Sequence, residues 1–156
     1  MKIKEAEKRN LREILELQYL AYQSEARLFD NNDIPPLKQT LQEVELEFDR
    51  GLFLKLVDEN GKIIGSVRAF AEGGTLFIGK LMVHPDHQGL GLGAKLLKAV
   101  EEARPHNRYE LFTSSKSKKN IQLYQRAGYK MFKEHDVSGD LKFVYLEKYR
   151  HEKSGD

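Results

Sequence analysis

The chain contains no cysteine, which excludes a disulfide scaffold, a thiolate metal site and a cysteine nucleophile. Long apolar runs are missing as well. None approaches the ~18 residues that a membrane span needs, and the opening "MKIKEAEKRN" lacks the apolar stretch of a secretory signal. A strong charge of one sign is also absent: 26 Lys and Arg stand against 24 Asp and Glu, a net charge of +2. Composition therefore does not call for nucleic acid or a membrane as the main partner. No repeat or break in composition divides the 156 residues, a length sufficient for one real core. The expectation is a single cytoplasmic domain over residues 1–150, with 151–156 as a frayed, disordered tail.

What is present alternates between strand and helix signals. "KIKEA" reads as a short strand, and Asn10 is placed to cap a helix in which Leu11, Ile14, Leu15 and Tyr22 recur at helical spacing, ending near Ser24. "FDNNDIPPL" has the composition of a loop, and Leu37, Leu41, Val44 and Phe48 mark a second helix closed by Gly51. Three strands follow, "LFLKLV", "KIIGSVRAFA" and "TLFIGKLMV", separated by the turn sequences "DENGK" and "EGGT". "GAKLLKAVEEA" is a third helix and "RYELFT" a strand. "KKNIQLYQRAG" is a fourth helix stopped by Gly128, and "YKMFKEH" and "LKFVYLEK" are a last pair of strands. This order predicts an α/β (α+β) mixed sheet of about seven strands flanked by four helices. Only the portion from Thr75 to Thr113 requires a parallel crossover.

The stretch "VHPDHQGLGLGAKLL" places Gly89, Gly91 and Gly93 between a strand and a helix. Three glycines there, with the unpaired N–H groups and the positive dipole end of the helix they open, form a cradle for phosphate. Gly89, Gly91 and Ala94 satisfy G-x-G-x-x-G/A by count, but "HPDHQ" separates Val83 from the first glycine. Glu110, the acid at the right distance, lies at the beginning of its strand, so the dinucleotide fingerprint fails. Lys95 is followed by Leu96, so the G-K-[ST] of nucleotide hydrolases is missing too.

The same residues resemble the GCN5-related N-acetyltransferase (GNAT) family. Its signature is a strand ending in V-x-P followed by Q/R-x-x-G-x-G/A at a helix start. Here Val83-His84-Pro85 precedes Gln88-Gly89-Leu90-Gly91-Leu92-Gly93. A second family signature, L-Y-x-x-x-G-F/Y, is met by Leu123-Tyr124-Gln125-Arg126-Ala127-Gly128-Tyr129.

The resemblance implies a sheet splayed between its fourth and fifth strands and a site for acetyl coenzyme A as cosubstrate, with no metal. The amides of Gln88, Gly89, Leu90, Gly91, Leu92, Gly93 and Ala94 would hold the pyrophosphate. Leu81, Met82 and Val83 would pair with the pantetheine arm, which can add to a strand edge. Tyr124 would be the general acid for the departing thiolate, and a backbone N–H near Met82 or Val83 would meet the oxyanion. Many members carry Asn seven residues before the tyrosine. Ser117 occupies that position here and Asn120 shares its helix face, so either could contact the coenzyme, with helix capping as the alternative for Ser117.

For the general base, Glu110 is the tentative choice, with Glu72 and Glu25 as further carboxylates. His84 and His87 are assigned to loop structure rather than to catalysis or metal binding. Glu43, Glu45, Glu47 and Asp49 read as a solvated helix face. The lysines of "SSKSKK" lack the interleaved aromatics that base stacking needs and could instead meet the 3'-phosphate of the coenzyme. The function implied is direct transfer of acetyl from acetyl coenzyme A to a primary amine of a small molecule or peptide. The alternative is a noncatalytic acyl coenzyme A sensing module. No nucleic-acid or membrane partner is expected, and oligomeric state is left open, a homodimer included.

Overall fold

The structure, a computed structural model, describes residues 1–31 and 33–150; the expectation of a disordered tail at 151–156 lies outside them. Seven strands form one sheet: β1 Lys2–Glu5, β2 Leu52–Val57, β3 Ile63–Glu72, β4 Thr75–Val83, β5 Arg108–Ser114, β6 Lys130–Ser138 and β7 Leu141–Tyr149. The helices are α1 Leu11–Phe29, α2 Pro35–Lys38, α3 Leu41–Arg50, α4 Leu92–Ala103 and α5 Lys118–Arg126. The spatial order is β1-β2-β3-β4-β5-β7-β6. Every neighbouring pair is antiparallel except β4 and β5, which α4 joins as the crossover that a parallel pair requires.

Period-two alternation assigns each strand's residues to two cores. Leu52, Leu54 and Leu56 of β2 face one cluster with Leu92, Leu96, Leu97 and Val100 of α4 and Tyr124 of α5. Phe53, between them in sequence, faces the other with Leu11, Ile14, Leu15 and Leu17 of α1 and Val44 of α3. The sheet is thus covered on both faces, and the site lies where its two halves separate.

Three local expectations are corrected. Helix α1 does not end near Ser24 but runs to Phe29, where Asp30 in the left-handed region closes it with its N–H on the carbonyls of Ala26 and Arg27. The single helix expected from Leu37 onward is two, because Gln39 and Thr40 are extended. Thr40 then opens α3 with a capping box, its Oγ1 accepting from the Glu43 N–H while Glu43 accepts from the Thr40 N–H. Asn10 precedes α1 but does not cap it by its side chain; its Oδ1 accepts from the Glu7 N–H at 2.8 Å and from Lys55 Nζ at 2.9 Å.

Candidate active site

Strands β4 and β5 pair only over Thr75–Phe77 and Arg108–Glu110, although β4 continues to Val83 and β5 to Ser114. Beyond Phe77 the β5-facing edge of β4 has no strand partner, so backbone groups on that edge are directed into a cleft. The other edge is disturbed as well. Ser66 pairs with Met82 and Arg68 with Gly79, so β4 carries an extra residue there. Lys80, in this bulge, has a φ of 50°. A bulge of this kind bends a strand and re-aims its side chains.

At the end of β4 the chain turns through Pro85–His87, a turn that His84 caps by accepting the Asp86 N–H on Nδ1 at 3.0 Å. The rings of His84 and His87 meet edge to face at 5.6 Å. No group of three or more potential metal ligands occurs among the described residues. Gly89 at φ 80° and Gly91 at φ 76° then lead into α4, with Gly91 as its N-cap. A Cβ on either would meet nothing within 4 Å. The left-handed backbone accounts for glycine at both positions, and the empty space beside them is the room an approaching ligand needs. The first turn of α4 contains no acidic side chain, so nothing in it competes with an anion for the free N–H groups and the dipole.

The cleft and this loop belong to one groove of about 690 Å3. Leu81, Met82, Val83, Gln88, Gly89, Gly91, Leu92 and Gly93 line it from one side, and Ser117, Asn120 and Tyr124 from α5 and its N-cap. Leu90 and Ala94 are not among the lining residues, and the Leu90 side chain is 60% exposed. Gln88 donates from Nε2 to the Val83 carbonyl at 3.4 Å. Lys116, Lys118 and Lys119 border the same groove, Lys116 being paired with Asp140 at 3.3 Å.

Sequence spacing placed Ser117, Asn120 and Tyr124 on one face, and they line the same groove. The Ser117 side chain does not cap α5; its Oγ donates to Glu25 Oε1 at 3.2 Å. Glu25 enters from the part of α1 beyond Ser24. Burial pushes its carboxyl above the usual range, partly offset by that hydrogen bond. Burial also raises Tyr124, with the neighbouring Glu25 adding to the effect, and raises Tyr22 beside them. Tyr129, the last residue of the second motif, serves the scaffold instead. Its hydroxyl donates to Glu101 Oε2 at 2.6 Å, and Lys148 Nζ holds Glu101 Oε1 at 3.0 Å. That contact fastens α4 to β7.

On the opposite side of the splay lies a second pocket of about 340 Å3. Ile78, Gly79, Lys80, Leu111 and Phe112 line both cavities. Glu110 borders the smaller one, with its carboxylate 2.8 Å from Arg108, which also holds Glu147 at 2.9 Å. Glu72 lies outside both, exposed at the β3–β4 hairpin. The pocket's deepest polar group, Arg68, was not singled out by sequence. It is 6% exposed and donates to Glu47 Oε1 at 2.8 Å, Gln18 Oε1 at 2.8 Å and Gln39 Oε1 at 3.3 Å, while its guanidinium covers the Phe53 ring at 4.5 Å. Glu47 is thus not a solvated face residue but the counterion of a buried arginine. The one available signal was an arginine inside the otherwise apolar run "IIGSVRAFA", since a buried charge requires a partner.

The chain's likenesses agree with this geometry. Similarity at 29% identity over 119 residues links it to the UPF0157 protein YqkA of Bacillus subtilis (strain 168), covering 76% of this chain and 34% of that protein. The chain therefore spans about a third of that relative's length. Among solved structures, the ribosomal-protein-S18-alanine N-acetyltransferase of Escherichia coli superposes with a TM-score of 0.77 at 17% identity, over 95% of this chain and 92% of that one. The PaiA N-acetyltransferase of Thermoplasma acidophilum, solved in complex with coenzyme A, gives 0.78 at 15%, over 95% and 98%. At these identities the structures establish the fold. The family model for the Acetyltransferase (GNAT) family matches residues 9–129, a span that holds the glycine loop, the splay and Tyr124, and the chain belongs to that family.

Proposed function

We propose that the chain transfers an acetyl group from acetyl coenzyme A directly to a primary amine, with both substrates bound at once. The observation that carries this reading is the splay itself. One cavity ends on an anion-accepting glycine loop, another opens opposite it, and the two meet at Ile78–Lys80 and Leu111–Phe112. The coenzyme fits the larger groove on three counts: the open space at Gly89 and Gly91, the acid-free helix start and the unpaired strand edge of Leu81–Val83. A coenzyme A complex of the PaiA relative supports the same assignment.

When bound, the coenzyme supplies an activated thioester carbonyl; the chain supplies position and protons. Amides of Gln88, Gly89 and Gly91–Gly93 bind phosphate oxygens, and the free edge of β4 orients the amide-bearing arm. A β4 N–H near Met82 or Val83 faces the negative charge that develops on the carbonyl oxygen. Tyr124, protonated at neutral pH as an ordinary phenol is, gives its proton to the departing sulfur. Glu110, oriented by Arg108, borders the acceptor pocket and takes the amine proton. Asn120, on the groove side of α5, adds a hydrogen bond to the coenzyme. Its loss in Asn120→Ala is expected to weaken coenzyme binding by roughly 0.5–1.5 kcal/mol, a few-fold up to about tenfold.

The test is an amine panel with acetyl coenzyme A, read by release of free thiol. Amine-dependent thiol release with a matching acetylated product supports transfer. Tight coenzyme binding with no release for any amine would mean a noncatalytic sensing module instead.

A further inference from the structure

Resting on the transfer reading, we infer that the acceptor is a small α-amino acid with an apolar or aromatic side chain, whose carboxylate is held by Lys80 and Arg50 in the pocket opposite the glycine loop. Charge on the pocket wall favours such an acceptor. Both carboxylates on the pocket wall already have cations: Glu47 is 2.8 Å from Arg68 and also accepts from Gln39 Nε2 at 2.5 Å, and Glu110 is 2.8 Å from Arg108. Both remaining cations of the wall, Lys80 and Arg50, make no ion pair among the described residues. Arg50 only covers the face of Phe70, 4.9 Å from its centroid. A polyamine or a lysine-rich peptide would bring further positive charge against them. An amino acid brings the anion they lack, and Glu110 lines the same pocket as its amine.

Lys80 has the right position for this. It lines both cavities, in the bulge of β4 that a φ of 50° marks, so a carboxylate it binds sits one carbon from an amine at the junction where transfer occurs. Burial and the nearby Arg68 hold its ammonium below the usual lysine range, with the Glu47 charge offsetting them in part, and an incoming carboxylate favours the charged form. The rest of the wall selects the side chain. Phe70 and Phe77 stack at 5.2 Å, and Phe112 and Tyr145 face each other at 5.4 Å. A volume of about 340 Å3 is at the small end of ligand sites, which run from ~300 Å3 upward.

The experiment compares L-phenylalanine, L-phenylalaninamide and spermidine as acceptors by thiol release. In parallel, calorimetry follows the first two titrated into the coenzyme A-loaded protein. The amide keeps the amine and ring but has no anion. The expected result is a kcat/KM at least about tenfold lower for the amide, a gap of the size that a lost charge-assisted contact produces. Lys80→Met and Arg50→Gln should raise KM for the amino acid and leave the amide nearly unaffected, with Lys80→Arg restoring part of the loss. Equal use of amide and acid, or preference for spermidine, overturns the acceptor inference while leaving acetyl transfer intact. Turnover of none of the three, with the acid binding more tightly than the amide, supports the pocket and rejects the transfer reading. Neither binding nor turnover of L-phenylalanine overturns the inference.

Discussion

The groove ending on the glycine loop and the pocket floored by Arg68 share the residues at the splay, yet they are built from different kinds of sequence. The glycine-loop end of the groove takes its geometry from one contiguous segment, Val83 to Gly93, whose turn, left-handed glycines and helix start are local consequences of residue type. The pocket is gathered from α3, β2, β3, β4, β5 and β7. Its central arginine depends on Gln18, Gln39 and Glu47, which lie 50, 29 and 21 positions away. A site that must grip an invariant chemical group can be encoded locally. The pocket proposed for the acceptor draws on side chains that only the folded sheet brings together.

A single change in the loop is expected to remove coenzyme binding and leave the other cavity intact. Gly91→Glu is expected to abolish acetyl coenzyme A binding, because it sets a carboxylate among the amides proposed to hold phosphate and forces a side chain onto φ 76°. Gly91→Ala separates the two effects, since the left-handed conformation alone costs a non-glycine residue about 1–2 kcal/mol. Calorimetry on the folded variants decides. Undiminished affinity in the glutamate variant would remove the phosphate cradle from the proposal.

Tyr124→Phe probes the α5 wall of the groove. Turnover should fall roughly a hundredfold, the low end of a positioned general acid's contribution, with coenzyme affinity and thermal stability almost unchanged, because the ring keeps its place in the core. Single-turnover measurements are the proper readout. Unchanged chemistry there would leave Tyr124 a packing residue only.

On the pocket side, Arg68→Met should act on stability and spare the coenzyme. Removing one member of a buried ion pair typically costs about 3–5 kcal/mol. Glu47 is 36% exposed at its side chain and can regain water, so about 2–4 kcal/mol is expected, measured by urea unfolding. Acetyl coenzyme A affinity should change less than about twofold. A large loss of coenzyme affinity would show that the cavities are coupled through β4 rather than separate.

These contrasts also explain what could be read before folding. The strand "TLFIGKLMV" coincides with β4, and the shared face of Ser117, Asn120 and Tyr124 follows from helical spacing alone. The end of α1 was misplaced because Ser24 resembles a boundary, whereas the buried Ala26 beyond it keeps the helix on the core. The break before α3 did have a local signature, Thr40-Leu41-Gln42-Glu43, which the apolar spacing from Leu37 obscured. Neither the bulge at Lys80 nor the pairing of Arg68 had one, since a register shift and a partner 21 or more residues away are properties of the assembled sheet. The hydrogen bond from Ser117 to Glu25, across 92 positions, is of the same kind.

That hydrogen bond offers the finest test, because it ties α1 to the N-cap of α5 on the groove wall. Burial raises the Glu25 carboxyl above its ordinary value of 4.5, and the Ser117 hydroxyl lowers it in part. The folded chain thus binds this proton more tightly than the unfolded chain does. Stability must then fall as pH rises from the unfolded value through the raised folded value, with the full penalty present above it. Glu25→Gln retains an acceptor for the Ser117 hydroxyl and never ionises. In the ligand-free protein, melting temperatures of variant and wild type should coincide at about pH 4, where the carboxyl is largely protonated in both folded and unfolded chains, and separate in favour of the variant toward neutrality. The change should be the smallest of the set. A wild type that is the more stable of the two at neutral pH would mean that the Ser117 contact outweighs burial and holds Glu25 as a carboxylate, in which case its charge, facing Tyr124, becomes part of the groove's electrostatics.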